Sequence, residues 1–191
     1  MKETGKIYLI PVPIDDAGLE TIPKSTLEIL FQLSHFVVER SKTARKFIKL
    51  LGHPLPQSEL RVTEMPKHGK IDFEEVLDIV KAGHDIGIMS ESGCPGIADP
   101  GAEIASWAHL KDIQVVPMVG PSSLLLALMA SGFSGQSFVF HGYLPADKEE
   151  LVKKLRLLEV NANKLGQSQI FIETPYRNKK MFEAAMNTLL P

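Results

Sequence analysis

Short runs of apolar residues alternate along the chain with segments in which apolar positions recur every three or four residues. The runs at 7–10, 35–38 and 86–89 are short, and proline, glycine or charged residues flank them, so we predict that they are buried strands. The helical pattern covers 25–33, 44–51, 73–80, 102–110 and 122–131, with Ser25 and Asp72 as predicted N-caps of the first and third of these helices. Strands that alternate with helices in this way predict an α/β fold built on a parallel sheet.

The strand and helix alternation restarts after residue 120. Strands are predicted at 138–140 and 169–172, Asp147 caps the helix between them, and Thr174-Pro175 opens a last helix. We therefore predict an N-terminal α/β domain over 1–119 and a smaller α/β domain over 120–191. Two strands are few for an independent sheet, so we expect this second domain to be truncated here or completed by a partner chain.

Composition narrows the classes of function. The net charge of −2 provides no overall basic field for nucleic acid, so any RNA contact needs a local patch. The single cysteine, Cys94, allows no internal disulfide, which fits a reducing, cytoplasmic setting. Apolar runs are too short for a membrane span, and we expect no membrane association. The six histidines lack the spacing of metal ligands, so no metal is expected.

The segment 90–101 reads SESGCPGIADPG, and it follows a predicted buried strand and precedes a helix. Open α/β folds bind ligands at this edge of the sheet, and glycines allow a close approach of the backbone. A plain strand–helix connection with Asp99 as the helix cap is about equally compatible with the pattern, although twelve residues is long for one. No two glycines are two positions apart, which excludes the dinucleotide-binding fingerprint. Cys94 has no histidine nearby in sequence and is more readily explained as a packing residue.

Charged residues follow the second predicted strand and continue along the next helix. Glu39, Arg40 and Lys42 stand at the strand's end, where a solvated charge run is the commoner explanation. One helix face carries four basic residues at helical spacing: Lys42, Arg45, Lys46 and Lys49. This face could neutralise RNA phosphates, or it could simply be a solvated helix surface.

Several blocks of sequence resemble, in order and spacing, one family of ribosomal small-subunit RNA cytidine 2'-O-methyltransferases, a branch of the tetrapyrrole methylases. The blocks are VPI at 12–14, ERSKTARKFIKLLG at 39–52, ESGCPGIADPG at 91–101, VGPSSLLLALMASG at 119–132, FVFHGYLPA at 138–146 and ETPYR at 173–177. The resemblance implies two α/β domains, a homodimer, and S-adenosyl-L-methionine bound in the cleft between the domains.

The resemblance also assigns residues. The expected cofactor-binding residues are Pro13, Ser92, Gly93, Cys94, Pro95, Gly96, Ile97, Ala98, Asp99, Ser122, Ser123, Ile172 and Glu173. Glu39 is the expected base or orienting carboxylate for a ribose hydroxyl, and the expected contacts to ribosomal RNA or the small ribosomal subunit are Arg40, Lys42, Arg45, Lys46 and Lys49.

The chain departs from the family in two places near the expected substrate side. Asp15-Asp16-Ala17-Gly18-Leu19 follows Ile14 where the family has Gly-Asn-Leu, and Arg40-Ser41-Lys42 follows Glu39 where the family has Asp-Thr-Arg. Two alternatives therefore stay open: a non-catalytic relative that still binds the cofactor, and a methyltransferase that acts on a tetrapyrrole-type small molecule. The second lacks the glycine-rich stretch after the first strand that is typical of that branch.

Overall fold

The computed structural model describes residues 4–15, 18–66, 71–99 and 101–190. The chain divides into two compact units, Met1–Ser123 and Leu124–Pro191. Compactness alone does not test the division into domains 1–119 and 120–191, which stays a prediction. Asp16, Ala17 and Pro100, which belong to segments discussed above, lie outside the described residues.

The first unit contains a five-stranded sheet in the order β3-β2-β4-β1-β5. Every pair of neighbouring strands is parallel, which confirms the predicted α/β class. The strands are β1 (Ile7–Leu9), β2 (His35–Val38), β3 (Arg61–Glu64), β4 (Ile86–Met89) and β5 (Val115–Pro117). The central strands β2 and β4 are buried along their whole length, which explains why they read as continuous apolar runs.

Helices cover both faces of this sheet. The described helices of the unit are a short 3-10 helix (Leu19–Thr21), α1 (Lys24–Leu30), α2 (Ser41–Leu50), α3 (Phe73–Lys81) and α4 (Gly101–Leu110). Buried residues of α1 and α2 pack with Phe36 and Val38, whereas those of α3 and α4 pack with Val37 and Ile88. Successive residues of β2 thus face opposite cores, as the pleat of a strand requires.

Two sequence-based expectations in this unit were incomplete or wrong. Strand β3 was not predicted, because Arg61-Val62-Thr63-Glu64 is a half-exposed edge strand with a charged residue at each end and no apolar run. Ser25 does not cap α1, since Pro23 occupies the N-cap position and its carbonyl receives the N–H groups of Thr26 and Leu27. The predicted cap of α3 is confirmed, because the Asp72 carboxylate accepts two N–H groups of the first turn.

The second unit has a two-stranded parallel sheet and helices that pack on it. Its elements are α5 (Ser123–Ser131), which starts at the boundary, β6 (Phe138–Tyr143), α6 (Lys148–Leu165), β7 (Ser168–Ile172) and α7 (Asn178–Thr188). The small core contains Leu144, Leu151, Leu155, Leu158 and Met181. Asp147 caps α6 as predicted, and within the described ranges no helix is long and apolar enough to cross a membrane.

The start of the last helix was predicted too early. Thr174-Pro175 does not open α7, because the Thr174 carbonyl accepts the N–H groups of Arg177 and Asn178 and forms a turn ahead of the helix. The Glu173 carboxylate fixes that turn by accepting the N–H of Thr174 at 2.7 Å. The proline therefore lies in the turn that precedes the helix.

Candidate functional site

Two loops at the carboxyl edge of the five-stranded sheet are joined by main-chain hydrogen bonds. The loop after β1 and the loop after β4 form an antiparallel bridge in which Val12 N–H donates to the Gly93 carbonyl at 2.9 Å and Gly93 N–H donates to the Val12 carbonyl at 3.1 Å. The Ser92 hydroxyl donates to the carbonyl of Ile14 at 3.4 Å. The segment that sequence analysis singled out thus lies against Pro13 and its neighbours.

The loop after β5 also contacts this segment. Cys94 Sγ donates to the carbonyl of Pro121 at 3.3 Å. Burial raises the pKa of the Cys94 thiol, which keeps it protonated and supports a packing role over a nucleophilic one. Residues 92–94 therefore contact the loops after both β1 and β5, and Cys94 lies beside Pro121, which precedes Ser122 and Ser123.

The backbone of these loops requires small residues at particular positions. Gly93 and Gly96 have φ values of 71° and 84°, in the left-handed region, and Ala98 follows with a φ of 64°. A Cβ atom at Gly120 would overlap the ring of Pro11, so the loops after β1 and β5 approach each other as closely as a glycine allows. The outcome is a stiff edge that presents main-chain groups.

Carboxylates gather where β2 and β4 end. Glu39 follows β2, and its Oε2 accepts the N–H of Glu91, which follows β4, at 3.1 Å. The pKa of Asp99 is raised to about 6: burial is the largest cause, the Glu39 charge adds to it, a hydrogen bond with the Ser90 side chain opposes it, and the Glu91 charge adds a little. Asp99 is therefore a carboxyl group that can change its protonation state near neutral pH.

The raised pKa of Asp99 implies that the stability of the protein depends on pH. Between the ordinary value of 3.8 and about 6, folded Asp99 holds a proton that the unfolded chain releases, so its contribution to stability falls as pH rises through this range. We expect Asp99→Asn to raise the melting temperature at about pH 7.5, and this gain to disappear below about pH 4. Thermal unfolding across pH checks this, with Asp78→Asn on the exposed side of α3 as the control. An Asp99→Asn gain that does not vary with pH would contradict it.

Two acidic residues contact the start of α2: Glu91 in the loop after β4 and Glu64 at the end of β3. Glu91 forms an ion pair with Arg40, with Nε and Oε2 3.0 Å apart, and its Oε1 accepts the Thr43 hydroxyl at 3.1 Å. The N–H of Ser41 donates to Glu64 Oε2 at 2.7 Å. No pattern in the sequence predicted the contacts of Glu91, Thr43 and Glu64, because the strand order that brings these residues together leaves no local signal.

A groove of about 240 Å³ lies between α2 and the loop after β1. Apolar and polar side chains share its lining: Val12, Pro13, Ile14, Asp15, Leu19, Lys42, Thr43, Ala44, Lys46, Phe47, Leu50, Ser90 and Glu91. Of the predicted basic face, Lys42 and Lys46 line the groove, and Lys49 does not. Arg45 is directed elsewhere, since its guanidinium donates to the carbonyls of Gln57 and Leu60. Arg45 thereby anchors the connection between α2 and β3.

The two predicted cofactor residues of the second unit follow β7. Ile172 ends that strand, and Glu173 is buried, its side chain only 3% exposed. Glu173 Oε1 accepts the N–H and hydroxyl of Thr174, while Oε2 lies 2.9 Å from Arg177 Nη2 without hydrogen-bond alignment. Arg177 also donates to the carbonyls of Leu144 and Pro145. The role of Ile172 and Glu173 toward a cofactor stays a prediction.

A parallel α/β sheet whose loops meet at its carboxyl edge belongs to the class of folds that bind small ligands at that edge. No family model matches the chain. Over 98% of its length it is 30% identical to the ribosomal RNA small subunit methyltransferase I of Bacillus subtilis, and over 90% it is 31% identical to that of Vibrio cholerae. Over 91% it is 31% identical to the Thermotoga maritima protein of the same name.

The chain belongs to the ribosomal RNA small subunit methyltransferase I family, which confirms the resemblance found in its sequence blocks. It spans 61% of the Bacillus relative, 56% of the Vibrio relative and 73% of the Thermotoga relative. Among the described residues, no group of three or more histidine, cysteine or acidic side chains is placed to hold a metal ion.

Proposed function

We propose that the chain is an S-adenosyl-L-methionine-dependent methyltransferase that modifies a ribose 2'-hydroxyl of small-subunit ribosomal RNA. The observation that carries the proposal is the meeting of three loops: residues 92–94 form hydrogen bonds both to the loop after β1 and to the loop after β5. The names of the family's relatives support the substrate class. In keeping with the family, we propose a two-domain tetrapyrrole-methylase-like fold.

The residues at this edge fit the proposed cofactor. Its amino-acid end and ribose need hydrogen-bonding groups at close range, and glycine backbones with positive φ at 93 and 96 supply such an approach. Residues 92–99, with Pro13, Ser122 and Ser123, would hold the cofactor, which supplies an electrophilic sulfonium methyl group when bound.

Glu39 is the proposed acceptor of the proton that the ribose hydroxyl loses. When bound, the cofactor would supply the methyl group that the hydroxyl oxygen takes up, and the Glu39 carboxylate would accept the proton that this oxygen loses. Glu91 N–H holds one oxygen of Glu39 at 3.1 Å, which orients the carboxylate before the substrate arrives. The protein's task is mainly to align the hydroxyl, because the methyl donor is already reactive.

The groove beside α2 is the proposed entry for RNA. Lys42 and Lys46 would meet phosphates there, while apolar residues such as Phe47 and Leu50 line the same groove. We further propose that the protein works as a homodimer. The exposed apolar side chains of α5 support a partner contact, since Leu125, Leu126 and Met129 are each more than half exposed.

Transfer of a radiolabelled methyl group to small ribosomal subunits tests the proposed function. Subunits from a strain that lacks the gene should take up label in their RNA, at a nucleotide whose 3' phosphodiester bond then resists alkaline cleavage. Cofactor binding without any label in RNA would favour a non-catalytic relative, an alternative that the altered Arg40-Ser41-Lys42 block makes concrete. Label in a tetrapyrrole but not in RNA would favour the small-molecule branch.

A further inference from the structure

Glu91 contacts three other residues at the carboxyl edge of the sheet, and no pattern in the sequence indicated these contacts. Its carboxylate meets Arg40 through one oxygen and Thr43 through the other, at 3.0 Å and 3.1 Å. Its backbone N–H meets the carboxylate of Glu39 at 3.1 Å. One residue of the loop after β4 thus holds three residues between the end of β2 and the first turn of α2.

The ion pair alone would not distinguish Glu91 from an ordinary surface residue. The side chains of Arg40 and Glu91 are 55% and 34% exposed, and pairs of this kind usually contribute little to stability. The three contacts of Glu91 together do distinguish it. Its two carboxylate oxygens both contact the start of α2, and its backbone N–H donates to the carboxylate of Glu39. An arrangement that costs side-chain freedom and gains little stability is suited to orienting a charged group.

The orientation given to Arg40 matters for RNA. Its Nε faces Glu91, which leaves the terminal nitrogens Nη1 and Nη2 as donors, and a guanidinium fork suits a phosphate. Glu91 and Thr43 both line the groove in which Lys42 and Lys46 stand. The Arg40–Glu91 ion pair therefore lies beside the proposed RNA entry and next to the loop proposed for the cofactor.

We propose that Glu91 is a positioning residue that joins the loop after β4 to the first turn of α2 and aims Arg40 at the RNA backbone. This inference rests on the proposed function, since it assigns a role within the same site. It predicts that Arg40 and Glu91 act as a unit in substrate binding and leave the chemical step almost unchanged. Glutamine at position 91 keeps the N–H that orients Glu39, but it removes the negative charge and one of the two acceptor oxygens that face Arg40 and Thr43.

A double-mutant cycle tests the inference by methyl transfer to small ribosomal subunits. Arg40→Gln and Glu91→Gln should each raise KM for subunits about fivefold and leave kcat within about twofold, and the double variant should match the single variants. The matched control is Lys24→Gln with Glu28→Gln, an exposed ion pair of α1 whose removal should leave KM unchanged. Equal melting temperatures establish that no variant lost its fold.

The result that overturns the inference is an unchanged KM in Glu91→Gln, or effects of the two substitutions that multiply in the double variant. If the wild type transfers no methyl group, the same cycle is run on subunit binding in the presence of S-adenosylhomocysteine. Non-additive losses of binding would then support the inference while the proposed function fails. Additive losses would overturn the inference, and so would no loss of binding.

Discussion

Gly120→Ala is expected to destabilise the protein by about 1–3 kcal/mol and to weaken binding of S-adenosylhomocysteine about tenfold or more. A Cβ atom at this position would overlap the Cβ and Cγ atoms of Pro11, whose ring cannot turn away as a flexible side chain would. The loops after β1 and β5 must then separate. Residues 92–94 bond to both of those loops, so the separation should also disturb the proposed cofactor edge.

Chemical unfolding and isothermal titration calorimetry check the two parts of this prediction. Gly135→Ala is the matched control, because no atom lies within 4 Å of the Cβ added there and the position does not require a positive φ. That control should leave stability the same or slightly higher. A Gly120→Ala variant that is as stable as the control and binds the ligand as tightly would show that the close approach of the loops is unimportant.

Glu39→Gln is expected to lower kcat for methyl transfer by about a hundredfold to ten-thousandfold, with little change in cofactor affinity. Glutamine can still accept the N–H of Glu91, so the loop after β4 keeps its position while the ability to accept a proton is lost. A rapid radiolabel assay with small ribosomal subunits measures the rate. Glu183→Gln, an exposed carboxylate of α7, is the control and should transfer methyl groups at the wild-type rate.

The same substitution has a second expected effect that does not depend on turnover. The charge of Glu39 helps to raise the pKa of Asp99, so removing that charge should lower the pKa of Asp99 from about 6. Carboxyl carbon NMR titration of Asp99 in the two proteins measures the shift. A kcat within about twofold of wild type would remove Glu39 from the chemical step, and an unchanged Asp99 titration would show that the two carboxylates do not interact.

The sequence predicted the elements whose burial is complete and missed those that depend on distant contacts. Strands β2 and β4 are buried throughout and stand out as apolar runs. Strand β3 lies at the edge of the sheet and is partly exposed, so its residues form neither an apolar run nor a clear apolar face. The start of α7 was misplaced, because the contact between Glu173 and Thr174 holds a turn where the local pattern favoured a helix.

The position of the candidate site was predictable, but its internal contacts were not. A long glycine-containing loop after a buried strand indicated the carboxyl edge of the sheet. The pairing of Arg40 with Glu91 depends on β4 lying directly beside β2, an order that residues fifty positions apart do not reveal. Arg45 lies on the same helix face as Lys42 and Lys46 in the sequence pattern. Its side chain nevertheless donates to carbonyls in the segment between α2 and β3, and the spacing of residues along a helix cannot reveal such a contact.

The proposed function depends most on the cofactor edge formed by residues 92–99 and the loop that leads to Ser122 and Ser123. Titration of the isotope-labelled protein with S-adenosylhomocysteine, followed in amide proton–nitrogen NMR spectra, tests this edge directly. We predict saturating shifts at Gly93, Cys94, Gly96 and Asp99, together with Ser122 and Ser123. Spectra that do not change at these amides up to about 1 mM ligand would contradict the proposed cofactor site.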